Sequence, residues 1–449
     1  MKRILLVSFL LMAVPGWISA RQFEPVDSVF LNSLPDFSKN IGNVIDRVWP
    51  GMHPGPVCVF RSGGPAFLMN HPDPPSNATL LQDGIYLLNQ QEERLFGATQ
   101  SLINGVLTAH NDYVQQRYTS LNQFYAELFH ELHHVYQREE VRNLPFDNPA
   151  DLLTYPEDEN NFDLKHFEDM QLLEMWEGKP ETFQHNLDLF YTCRKIREAL
   201  IDAKYLNYEK GAESAEGPAM FCEYSYLKPF DSNRIEREYI HHRYFFALTE
   251  ACYSRNKLRE KCLLTGMMQC LILSKYVKNW QSEYYASGLF LYDYFLEKFP
   301  AKETVLPIRK DDLAKAKYFT GIEKQKHALN FEAFHNQQGI KLVLSFREYP
   351  EFRGFDPMHA EAINDSAILQ TTLLKLGKGD NFLNLVNMQA VSGVAGQIWF
   401  VKTVELFVPE QTIRVENDNL LLSLDGKAEI KWKLVGQVKK EKEILCVLE

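Results

Sequence analysis
The chain has 449 residues, of which 45% are hydrophobic, 13% aromatic and 24% charged; this composition excludes a disordered chain and suffices for a large core or two to three domains. A formal net charge of -11 argues against nonspecific binding to nucleic acid or to an anionic membrane. Seven cysteines without a CxxC pair are too sparse for a cysteine-stapled miniprotein.

In chain order, Lys2 and Arg3 precede the apolar run Ile4 to Val14, and Pro15-Gly16 leads to the small pair Ser19-Ala20. This pattern predicts a signal peptide over residues 1–20, cleaved after about Ala20. The run is short for a bilayer span and no later segment reads as one. The mature chain is therefore expected to be secreted or periplasmic, with no stable membrane anchor. Residues 21–80 read as a mixed N-terminal segment. Strands are expected around Gly63-Gly64, and a loop over His71 to Asn77.

From Leu80 the composition turns to Leu, Gln, Glu and Ala, and proline is absent until Pro145. A helical domain is expected over 81–305, with helices within 91–109 and over about 117–141, 164–178, 181–205, 237–256 and 261–278. The second of these carries the informative motif: Tyr125 to Val141 reads YAELFHELHHVYQREEV, with His130, Glu131 and His134 in the order HExxH. Residues four apart share a helix face, so two imidazoles can reach one ion while Glu131 lies at its flank. Zn²⁺ is the metal such a set suits, and an adjacent carboxylate can take a proton from water. His133 falls on an adjacent face, where packing or hydrogen bonding is expected. Without a metal, the same residues would form an ordinary helix.

A third ligand is sought in Glu216 to Tyr226, EGPAMFCEYSY. Glu216 is the first choice, because Gly217 permits close backbone approach and Pro218 suits a first helical turn; Glu223, deeper in the helix, is the alternative. The acidic loop Tyr155 to Asp163 reads as solvated. His241 and His242 are adjacent and cannot face one ion from a regular helix. Tyr284 and Tyr285 precede the last apolar helix, either as core aromatics or as donors to developing negative charge. Residues 306–330 are expected to be a linker or helix. Residues 331–449 read as a smaller β-rich mixed domain with one helix near Ile363 to Gly377, the whole giving an α+β fold. Cys252, Cys262 and Cys270 include a possible disulfide pair.

HELHH followed by EGPAMFCE resembles the gluzincin, or peptidase-MA-like, class of zinc peptidases. The resemblance implies a zincin-like helical catalytic domain, His130, His134 and Glu216 as zinc ligands, Glu131 as the water-activating base, and a peptide or protein substrate. The interval from His134 to Glu216 is longer than in familiar gluzincins and requires inserted helices to fold back. The metzincin pattern fails, since Gln137 and Glu140 stand where a glycine and a third histidine belong. A zinc hydrolase of esters or cell-envelope amides, or a noncatalytic zinc-containing binding or structural protein, are the alternatives.

Overall fold
Glu24 caps the first helix, α1 (Pro25–Val48), through a reciprocal capping box with Asp27, and Pro25 occupies its first turn. Phe30, Leu34, Phe37, Ile41, Ile45 and Val48 are buried at helical spacing, giving one apolar stripe that faces the core. The computed structural model describes residues 23–82, 84–88, 95, 97–113, 118–364, 366–424 and 426–449. The predicted signal peptide lies outside them. They divide into two units, meeting between residues 136 and 137.

The first unit combines α1 with a six-stranded sheet. Its strands are β1 (Val57–Phe60), β2 (Ala66–Met69), β3 (Thr79–Gln82), β4 (Ile85–Leu88), β5 (Thr99–Ile103) and β6 (Val106–Asp112), in the order β3-β4-β2-β1-β6-β5. The expected strands around Gly63-Gly64 are β1 and β2, antiparallel and completely buried. A helix expected within 91–109 is instead, over its described part, the β5–β6 hairpin. The Asn104-Gly105 pair explains the correction: both residues have positive φ, as the tight turn between twisted strands requires. Helix α2 (Leu121–Glu140) follows, with Ser120 accepting from the Gln123 amide at its start. Phe30 and Phe37 of α1 stack on Tyr113 and on Tyr125 of α2.

The second unit begins in the last turn of α2. Its other helices, segments of a single three-residue turn aside, include α3 (Pro149–Leu153), α4 (Glu159–Glu177), α5 (Phe183–Leu200), α6 (Ala203–Leu227), α7 (Arg234–Ile240), α8 (Arg255–Tyr276), α9 (Trp280–Ser287), α10 (Leu291–Lys298) and α11 (Lys310–His335). The helix expected over 237–256 is broken: α7 passes into a π-type segment at His241–Phe246, and His241 and His242 are exposed. Helices α6 and α8 touch at two glycines. A Cβ on Gly217 would lie 2.6 Å from the Gly266 backbone, and one on Gly266 would lie 2.5 Å from the Glu213 carbonyl oxygen.

Beyond α11 the chain is built of strands β7 to β18, running from Ile340 to Leu448 and joined in one twelve-stranded sheet that forms a nearly closed barrel. β7 (Ile340–Phe346) alternates buried and half-buried residues, as does the first half of β17 (Ala428–Lys440) with buried and exposed ones, the period of a sheet with one face in the core. Leu342, Leu344, Leu422 and Trp432 are among the residues of that core. The helix expected near Ile363 to Gly377 is replaced by strands β10 (Ala367–Gln370) and β11 (Leu373–Lys378). Buried alternation in β11 and the Gly379 turn to β12 (Asn381–Val386) favour pairing over helix. The molecule is thus α+β, mainly helical before residue 336 and β-rich after it. All seven cysteines are buried and none forms a disulfide, the three considered for a pair included. Among the described residues, no helix is long and apolar enough to cross a membrane.

Candidate metal centre
Helix α2 is buried over most of its circumference. Phe124, Leu128, Phe129 and Leu132 are apolar core residues, but His130, Glu131, His133 and Gln137 are buried with them. Buried polar groups need partners, and the partners define what the helix can do. His130 and His134, one turn apart, bring their Nε2 atoms to 3.1 Å. Two nitrogens bound tetrahedrally to zinc at ordinary lengths stand about 3.3 Å apart, so the pair fits a shared ion as well as it fits an N–H···N hydrogen bond. His133 turns away and packs edge-on against Trp49 at 4.6 Å. Its burial, reinforced by His134 and His130, holds its pKa well below the ordinary value, so it is a neutral packing residue.

One ligand atom each from His130, His134 and Glu216 lies within 4.8 Å of the others, with His130 buried and the other two half-buried. Two imidazoles and a carboxylate form a donor set suited to zinc, and the cluster is a candidate metal-binding site in a mainly helical setting. Glu131 is 8% exposed and accepts a hydrogen bond from the Gln100 side chain on β5.

Glu216 is fixed from several sides. Arg259 on α8 donates to it at 2.7 Å and to Asp147 at 2.7 Å. Gly217, the next residue, is the close crossing with Gly266. The Ala215 carbonyl just before it accepts from Gln137 at 2.8 Å, and the same amide donates to the Tyr285 hydroxyl at 3.0 Å. Glu223 lies two turns further along α6, where it accepts from the Tyr244 hydroxyl at 2.8 Å and sits 3.5 Å from Arg243; it is outside the three-residue cluster. Tyr284 is fully buried and donates to the Ser214 carbonyl at 3.4 Å. Burial pushes the hydroxyls of both Tyr284 and Tyr285 above their ordinary pKa.

The acidic loop is occupied structurally. Asp158 caps α4 through the Asn161 amide, and Asp163 pairs with Arg309 at 2.9 Å. Gln100, Gln137, Asp147 and Arg259 escape sequence reasoning. Gln137 lies one turn after His134, so it was the one member whose position on the motif helix could have drawn notice. No family model, curated protein or solved structure matches the chain.

Proposed function
We propose that the chain is an exported zinc-dependent peptidase: the Lys2 to Ala20 pattern carries the expectation of export, and the single observation that supports the zinc chemistry is the convergence of His130, His134 and Glu216 donor atoms beside the buried carboxylate of Glu131. Zinc held there would supply a Lewis acid for a carbonyl and lower the pKa of water. His130, His134 and Glu216 would hold the ion, and Arg259 holds the Glu216 carboxylate in one orientation. Glu131 takes the proton of the attacking water and returns it to the leaving amine. Gln100 restrains the Glu131 carboxylate so that one oxygen stays directed. Of the two tyrosines, Tyr285 has the stronger support for an accessory role, because it shares the Gln137 amide with the residue preceding Glu216. A peptide bond suits this apparatus because its leaving amine requires a returned proton.

The test compares wild type, Glu131→Gln and His130→Ala for bound zinc and for hydrolysis of a mixed peptide library. Glu131→Gln is expected to keep its zinc and lose at least about 100-fold in rate, the usual scale of a general base. His130→Ala is expected to lose both. Equal turnover by wild type and Glu131→Gln refutes the assigned base, and a wild type that retains no zinc refutes the site.

A further inference from the structure
We propose that a polar pocket in the second unit, between α3 and the β-rich region and walled by Asp151, Gln397 and Trp399, binds a neutral saccharide. The pocket has a volume of about 410 Å³, within the roughly 300–1,000 Å³ range of small-molecule sites.

Local structure explains why these side chains converge. Asn148 caps α3 by accepting from the Ala150 amide at 3.3 Å. Leu152 and Leu153 anchor the short helix in two cores, and Arg255 binds the Leu153 carbonyl at 2.6 Å. Asp151 and Thr154 are thereby presented from a fixed turn. On the opposite wall, Gly396 at φ +78 reverses the chain between β13 (Ala390–Ala395) and β14 (Gln397–Val408). Ile398 then packs on the core while Gln397 and Trp399 remain exposed.

Trp399 is 36% exposed. Its ring stands at 84° to that of Phe352 and 85° to that of Phe355, with centroids 5.1 and 6.0 Å away. Two edge-to-face contacts orient the indole, so its exposed area can serve as a platform without losing much side-chain freedom on binding.

The chemistry of the lining selects the ligand. It contains one carboxylate, Asp151, and no Lys, Arg or His, so nothing there can neutralise a phosphate or carboxylate ligand. The polar groups are instead acceptors and amides: the Asp151 carboxylate, the Thr154 hydroxyl, the Gln397 amide, and the Asn148 and Asn364 amide nitrogens. The oxygens of the two asparagines are used internally, by Ala150 and by Ser366. A pyranose has hydroxyls that both donate and accept, and an apolar C–H face. An oriented indole beside mixed planar donors and acceptors complements both parts.

The test titrates the full chain with maltose, cellobiose, N-acetylglucosamine and galactose, followed by NMR and calorimetry, with choline as a control cation. At least one saccharide is expected to bind at or below about 10 mM. Trp399→Ala and Gln397→Ala should each weaken it by about tenfold, equivalent to about 1.4 kcal/mol, whereas His130→Ala should leave it unchanged. Asp151→Asn provides a second polar variant should Trp399→Ala fail to fold. The proposal is overturned if no saccharide binds, if folded Gln397→Ala and Asp151→Asn both bind like wild type, or if choline alone binds. Because His130→Ala removes the zinc apparatus, saccharide binding and peptidase activity can fail separately.

Discussion

Gly217 shows how a residue without a side chain can set the position of one that has a chemical task. A methyl group there would come within 2.6 Å of the Gly266 backbone, and neither helix has a flexible side chain at that point to yield. Gly217→Ala is therefore expected to cost about 1–3 kcal/mol by overpacking, seen as a lower thermal midpoint, and to weaken zinc binding through the neighbouring Glu216. Asp27 is a different case. Burial raises its pKa, but bonds from Arg61 and Tyr113 outweigh this and leave it below the ordinary value; Arg61 binds both carboxylate oxygens at 2.8 and 2.9 Å, and Tyr113 donates at 2.7 Å. A depressed carboxyl contributes stability above its unfolded pKa and loses it as pH falls through the folded one. Asp27→Asn should destabilise by about 3 kcal/mol at neutral pH, and by less in acid, as measured by urea unfolding at both.

At the scale of elements, α4, α5 and α6 are bound by charge as well as by packing. Glu168 on α4 faces Arg194 and Arg197 on α5, and these in turn reach Glu213 and Glu209 on α6, all essentially buried. Burial alone would raise the Glu168 pKa, but the two arginines hold it down to about 2. Its contribution is complete above the unfolded value near 4.5 and disappears as pH falls toward 2. Acid unfolding of the helical layer, followed by circular dichroism, should thus fall in that window, and Arg197→Met should destabilise at neutral pH by about 3–5 kcal/mol because it strands buried carboxylates. None of these pairings was legible beforehand, since sequence spacing reveals neighbours on one helix but not which helices adjoin. The motif helix was legible because HExxH places its residues through local geometry alone, and Gly217 marked a close approach without naming Gly266 as the partner. The β5–β6 hairpin and strands β10 and β11 were misread as helix from composition, although Asn104-Gly105 and the β11 alternation carried the opposing signal. Helix α1 was not singled out within the mixed segment 21–80, although its apolar residues recur at helical spacing and Pro25 occupies a first turn where no donor is lost.

For the molecule as a whole, a bound ion would couple chemistry to stability. If zinc is held about 1,000-fold above its dissociation constant, it stabilises the folded chain by about 4 kcal/mol. Chelation should therefore lower the thermal midpoint of wild type and leave that of His130→Ala unmoved, with added zinc reversing the first effect. The C-terminal sheet has a temporal consequence of its own. Strand β18 (Glu443–Leu448), the last of the twelve in chain order, lies between β17 and β7 and runs parallel to β7. During synthesis, β7 must wait about a hundred residues for this neighbour, and the edge that will pair with it meanwhile presents unpaired backbone N–H and C=O groups. Closure then depends on distant contacts, which are slow to form, so the emerging chain has reason to need a chaperone until its keystone arrives.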